Sequence, residues 1–272
     1  MLIRVRHHTR YRYGYLVDHA LQRLRLTPVA TPAQDILDWS ITSPGIETGV
    51  QYQDAYGNTT HLAVSPEPVA EIEVVATGLV ETRDTHGVVG YDKLATPASV
   101  FLRETPATAP DRALQWFADQ IPAGKPLERL HALMAQIHQR IEFDTDATHT
   151  GTNAHEAFAQ RRGVCQDHAH VFICVARLLG IPGRYVTGYL YMPDEAPAVA
   201  HHAWAEAYVD DLGWTGFDAA NGISPNDHYI RLACGFDAHG TAPVTGTRRG
   251  GGDETLEVEV QLHQAEGAAN PS

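Results

Sequence analysis

Hydrophobic periodicity changes twice along the 272 residues, and that change constrains the fold more than any single motif. In the first eighty or so residues the spacing is two. "IRVRHHTRYRY" sets Ile3 and Val5, then Tyr11 and Tyr13, among charged residues, and "EIEVVATGLVET" is a β-branched run. "QYQDAYGNTTHLAV" holds Gly57-Asn58 between two extended pieces, as a hairpin turn would. From "PDRALQWFADQIP" onward the spacing becomes helical. "PLERLHALMAQIHQRI" puts Pro126 in a first turn and Leu127, Leu130, Met134, Ile137 and Ile141 on one face. "NAHEAFAQRRG" opens with Asn153 and Glu156 at capping-box spacing and is expected to close at Gly163. "CQDHAHVFICVARLLG" buries Ala169, Phe172, Ile173, Ala176 and Leu179 and stops at Gly180, with Pro182 beyond. Period two then returns: "RYVTGYLYM" and "HAWAEAYV" read as strands, "DDLG" as a turn and "WTGFD" as the returning arm.

Strands, then helices, then strands predict an α+β chain. The expected layout is a β-rich, sandwich-like N-terminal domain over residues 1–90, a second domain over 91–265, and a disordered tail over 266–272. A Thr-, Ala-, Pro- and Gly-rich passage from about Asp84 to Pro110 marks the boundary. Late in the chain "RRGGGD" reads as flexible. "TLEVEVQL", alternating Leu256, Val258, Val260 and Leu262, reads as a last strand within the bounds of 91–265, its sequence not specifying which domain it joins.

Acids outnumber bases by 33 to 20, a formal charge of -13, which argues against nucleic acid as a partner. "MLIRVRHHTRYRYGY" carries no apolar run long enough for a signal peptide, and no stretch of about eighteen apolar residues follows. The expectation is a soluble, cytoplasmic protein with no membrane partner. Cys165, Cys174 and Cys234 form no disulfide framework and no C-x-x-C pair.

Cys165 is the residue that asks for chemistry. A thiol at a helix start meets unsatisfied N–H groups and the positive end of the helix dipole, both of which favour thiolate. Those N–H groups can later hold an oxyanion. Asp167 opposes this, so an imidazolium is needed to help. A buried structural cysteine is the competing reading. "HHAWAEAYVDDLGWTGFD" supplies a base and its orienter: His202 begins one strand and Asp218 ends the strand that turns back beside it. His201 is one residue away and faces the other side of a regular strand. Zinc is the rival, since Cys165 and His168 share a helix face. His170 lies on a different side at about 100° per residue, and further ligands would have to come from His201 and His202.

Taken together, "GVCQDHAHVF", "LLGIPGRYVTGYL", "HHAWAEAYV" and "GWTGFDAANG" resemble the core of the bacterial transglutaminase-like proteins, thiol enzymes of the papain-like superfamily. "LQRLRLTP" and "DAYGN" resemble the β-rich domain that precedes that core, so the likeness runs over about residues 1 to 262. It implies a papain-like transglutaminase core behind the β-rich domain, with Cys165 as nucleophile, His202 as base and Asp218 as orienter. His202 is preferred over His201 because the family's histidine directly precedes Ala-Trp. His168 stands where an aromatic residue is usual, and Phe236 and Ala238 stand where Arg and Tyr are usual.

Trp204, Tyr189, Trp214 and His168 are candidates for a substrate groove, with core packing as the alternative for the aromatics. Tyr191 belongs with them. The resemblance implies acyl transfer from a peptide or protein amide through a Cys165 thioester, with no metal or organic cofactor. Water as acceptor makes the protein a peptidase or amidase; an amine makes it a true transglutaminase. A catalytically silent binding module of the same fold is a further alternative. The N-terminal sheet offers a surface for self-association that sequence cannot assign.

Overall fold

A strand of 26 residues, β1 (Leu2–Thr27), organises the N-terminal half. Its alternation is strict at the start: Ile3, Val5, His7 and Thr9 are buried while Arg4 and Arg6 are exposed. At that length it serves two sets of partners. The computed structural model describes residues 1–91, 96–193 and 201–265. Within them β2 (Gln34–Thr42), β3 (Val50–Gln53), β4 (Thr59–Val64) and β5 (Val69–Thr82) assemble around β1 in the order β2-β5-β1-β4-β3. The first half of β1 pairs antiparallel with β5, Ile3 opposite Val80, and the second half with β4, Arg23 opposite Leu62. Gly57, at φ +78°, makes the expected turn between β3 and β4.

A second sheet holds the candidate chemistry. It takes β6 (Val88–Gly90), β9 (Gly183–Leu190), β10 (His201–Val209), β11 (Gly213–Phe217) and β12 (Tyr229–Gly235) in the order β12-β9-β10-β11-β6. Ahead of it lie α1 (Arg112–Asp119), α2 (Pro126–Arg140), α3 (Ala154–Gln160) and α4 (Cys165–Leu178), with the short parallel pair β7 (Glu142–Phe143) and β8 (Arg162–Gly163) between them. A four-residue helix, α5 (Ala238–Thr241), follows β12. Pro126 opens α2, and Asn153 caps α3 by accepting from the N–H of Glu156 at 3.0 Å, as the sequence predicts.

The close of α3 differs from expectation. Arg161, at φ +56°, is the left-handed residue, and Gly163 sits in β8. Gly163 is needed for space instead, because a Cβ there would stand 2.6 Å from Oδ2 of Asp167.

Helix α4 is buried from Asp167 to Arg177 and is the centre of the second core. Phe172, Ile173 and Ala176 pack with Leu114 and Phe117 of α1, with Leu133 and Ile137 of α2, and with Ala203, Ala205 and Ala207 of β10. Three alanines in alternation let the helix lie close on the strand. Gly180, at φ +76°, ends it. None of the described helices is long and apolar enough to cross a membrane.

Two boundary expectations need correction. Residues 88–90 belong with the second sheet, since Gly90 pairs with Trp214. The end of the chain returns to the first sheet: β13 (Val244–Gly250) pairs with β1 at Leu21 opposite Thr247, and β14 (Glu254–Gln264) at His7 opposite Val260. Val260 and Leu262 join a core with Ile3, Val5 and Ile72 of the first sheet, against which Tyr189, Ile230 and Leu232 of the second sheet pack. "RRGGGD" is the turn of that hairpin. Arg248 donates to Glu254 at 3.1 Å and to the carbonyl of Gly252 at 2.9 Å. The tail assigned to 266–272 lies outside the described residues.

Candidate active site

Cys165 is the first residue of α4 and the one cysteine of three that is not buried. The helix starts there because Asp167 turns back on the preceding chain. Its Oδ2 accepts from the N–H of Val164 at 2.8 Å and from the hydroxyl of Thr148 at 2.6 Å. Burial pushes the Asp167 carboxyl above its ordinary range, against the hydrogen bonds from Thr148 and Val164. The acid that sequence alone sets against the thiolate is thus a capping group committed to its own donors.

His202 and Asp218 stand at the open end of the β10–β11 hairpin, Ala205 being paired with Phe217. Nε2 of His202 lies 2.7 Å from Oδ2 of Asp218. Asp218 is fully buried, and five donors surround it. His202, the Tyr229 hydroxyl and the Asn221 amide reach Oδ2, each at 2.7 Å, and the N–H groups of Ala220 and Asn221 reach Oδ1 at 3.0 and 3.2 Å. Burial alone would raise this carboxyl; the hydrogen bond and charge of His202, with Tyr229 and Asn221, hold it below its ordinary range. Burial likewise works against the imidazolium of His202. Hydrogen bonds to Asp218 and Cys165, and the charges of both, outweigh it and raise His202 to about 10. With Nε2 turned to Asp218, Nδ1 is the ring atom left for Cys165.

The other sequence candidates fall elsewhere. Trp204 is buried, stacked beside His202 at 6.3 Å between ring centroids and edge-on to Tyr229 at 5.4 Å. It braces the imidazole. Tyr189 is fully buried between the two sheets, its hydroxyl 2.9 Å from Nδ1 of His7. Trp214 lies under the guanidinium of Arg184, 3.8 Å from the ring centroid. Neither has surface to offer a substrate, so both are core residues.

His168 is also buried, its two ring nitrogens against the carbonyls of Val164 and Ile141 at 2.8 and 3.1 Å. His170 accepts from the N–H of Ala238 at 3.1 Å, and burial lowers it to about 4, so it acts as a neutral tether for α5. His201 turns to Thr187 at 3.0 Å. The histidines of the zinc alternative therefore point to separate partners. Phe236 packs on Phe101 and Tyr56.

Asn221 and Tyr229 are the functional candidates that sequence reasoning misses. Asn221 lies three residues after Asp218, inside "GWTGFDAANG", and a turn that wraps its own carboxylate is a signal that could have found it. Tyr229 comes from β12, on the far side of β9, and carries no local signal.

The family model of the transglutaminase-like superfamily core matches residues 115–219, which hold all three of Cys165, His202 and Asp218. The model of the bacterial transglutaminase-like N-terminal region matches residues 3–81. An uncharacterized protein of Mycobacterium leprae is 27% identical across 96% of this chain and 98% of its own. One of Mycobacterium tuberculosis is 26% identical, covering 98% and 94%. The solved structure of a proposed cysteine protease from Cytophaga hutchinsonii matches with a TM-score of 0.76 at 23% identity, covering 100% of this chain and 93% of that one; at that identity the likeness speaks to the fold. With both halves matched in order, the chain belongs to the bacterial transglutaminase-like family, a transglutaminase-like core behind that family's N-terminal region.

Proposed function

We propose that the protein is a thiol hydrolase that cleaves an amide through a thioester on Cys165, with water as the acyl acceptor. The observation that carries this reading is His202 set between Cys165 and a buried, five-donor Asp218. His202 is raised by its partners, and the attacking form in this reading is Sγ paired with the His202 imidazolium. Sγ attacks the carbonyl carbon and a C–S bond forms. The oxyanion meets the first-turn N–H groups of α4. When it collapses, the C–N bond breaks and the amine leaves with the Nδ1 proton. Water then gives a proton to Nδ1 as its oxygen attacks the thioester. The C–S bond breaks, the acid departs and the thiolate–imidazolium pair is restored. Asp218 holds the imidazole in place and offsets its charge.

Water is favoured over a lysine amine because Trp204, Tyr229 and Asn221, the side chains around the His202–Asp218 pair, carry no anion, and Asp218 is saturated. The test is a peptide-amide library with and without added primary amine. Hydrolysis that persists as the main outcome in the presence of amine is expected. A dominant amine-linked product would make the protein an acyltransferase. No turnover, with Cys165 alkylated no faster than buried Cys174, would make it a silent module.

A further inference from the structure

We propose that a cleft beside His202 receives the residue on the nitrogen side of the scissile bond, and that it selects an uncharged apolar or aromatic side chain there. This rests on the acyl-transfer reading of Cys165 and His202. The cleft lies between the end of β9 and the segment from Asn221 to Tyr229, with a volume of about 430 Å³. That is within the range of small-molecule sites, roughly 300–1,000 Å³.

Its position assigns its side of the substrate. Asn221 and Tyr229 line it, and both donate to Asp218; the Tyr229 ring stands edge-on to His202 at 5.9 Å. The cleft therefore opens on the imidazole side of the pair. The acyl group is bonded to Sγ, whereas the departing nitrogen must approach His202 to collect its proton. What is attached to that nitrogen is the part brought to this cleft.

Its chemistry assigns the side chain. Leu190, Tyr191, Met192 and Ile223 supply apolar surface, and Ile223 is 43% exposed. Among the described residues lining the cleft none is an Asp or Glu, and none is a Lys or Arg. His228 donates from Nδ1 to the carbonyl of Tyr191 at 3.1 Å, which fixes that wall. Those described residues offer an entering charge no counter-ion, and what they supply is apolar contact.

The test starts from an active ester with a fixed acyl group, so that wild-type Cys165 is acylated whatever the cleft prefers. Amino-acid amides are then added as competitors of water. The α-nitrogen attacks the thioester, a C–N bond forms as C–S breaks, and the amine proton passes to His202. Phenylalaninamide and leucinamide should capture the acyl group about tenfold or more better than glycinamide. Lysinamide and aspartic acid α-amide, whose side-chain carboxylate is free, should do no better than glycinamide. Met192→Glu should lower the phenylalaninamide-to-lysinamide ratio about tenfold, and Ile223→Glu, at an already exposed side chain, serves as a second variant. Equal capture across the series, or a ratio unmoved in both variants, overturns the proposal while ester turnover leaves the thiol-enzyme reading standing. If the ester fails to acylate Cys165, that reading falls and this one falls with it.

Discussion

The hydroxyl of Tyr229 donates to Oδ2 of Asp218 at 2.7 Å, the same oxygen that holds Nε2 of His202 at 2.7 Å. A donor to a carboxylate favours its ionised form. Tyr229→Phe removes that donor and leaves Asn221 and two backbone N–H groups in place. Asp218 should then bind a proton at higher pH. The acid limb of kcat/KM should move upward by up to about one pH unit. A packing role alone would lower the melting temperature without moving the limb, so the profile separates the two.

Cys165 and His202 should report each other's presence in labelling. Cys174 is buried, and burial pushes its thiol up to about 12; Cys234 is buried as well. Iodoacetamide at pH 6, followed by mass spectrometry, should therefore mark Cys165 first. His202→Ala should slow that labelling and abolish turnover. His201→Ala, whose ring turns to Thr187, should leave most of both. Equal labelling of the three thiols would remove the ion pair.

Glu206 carries a stability prediction. It is fully buried, with Arg184 at 2.6 Å and Arg231 at 2.8 Å. Burial would raise its carboxyl, but the two guanidiniums lower it to about 2. The unfolded value is near ~4.3, so this contribution is complete above that pH and is lost as pH falls toward 2. Glu206→Ala removes the buried anion that Arg184 and Arg231 share and should cost about 3–5 kcal/mol in urea unfolding at pH 7. Its unfolding free energy should also vary less between pH 5 and 2 than that of the wild type. These ties identify Glu206 as a structural anion.

What was legible in the sequence is what local chemistry fixes. Pro126 and Asn153 announce helix starts, Gly180 a helix end, and the spacing of His202 and Asp218 across a short hairpin brings them to one end. Partners distant in the chain were not legible. Alternation in "TLEVEVQL" marks a strand but cannot say that Ile3 will lie opposite Gln264. Tyr229 reaches Asp218 only because β12 is laid beside β9, and the buried charges of Arg184 and Glu206 look like ordinary surface residues until the sheet covers them. Trp214 and Tyr189 fail as groove candidates for the same reason: an aromatic in a strand reads alike whether its face meets substrate or another sheet.

Asp218→Asn tests the centre of the proposed mechanism. The variant keeps the shape of the side chain and one acceptor while removing the charge that helps raise His202. A group whose folded value is raised holds its proton, and the associated stability, below the unfolded value of about 6.5, and loses both as pH rises through the folded value of about 10. Without the Asp218 charge that loss should move to lower pH, and the alkaline limb of kcat/KM should move down with it. In a serine triad the corresponding change costs as much as ~10⁴-fold, because the imidazole must take a proton from an unionised hydroxyl. A thiol is far easier to ionise than a hydroxyl and needs less help from the carboxylate, so a loss nearer ~10²-fold is expected for Asp218→Asn. Asp218→Ala should lose more, since nothing then orients the ring, and His202→Ala more than either. Measurement of kcat/KM for the three variants from pH 5 to 9, with circular dichroism as the check on folding, decides it. Wild-type rates in a folded Asp218→Ala protein would take the carboxylate out of the mechanism and leave Asn221, 3.5 Å from Nε2 of His202, as the group that positions the imidazole.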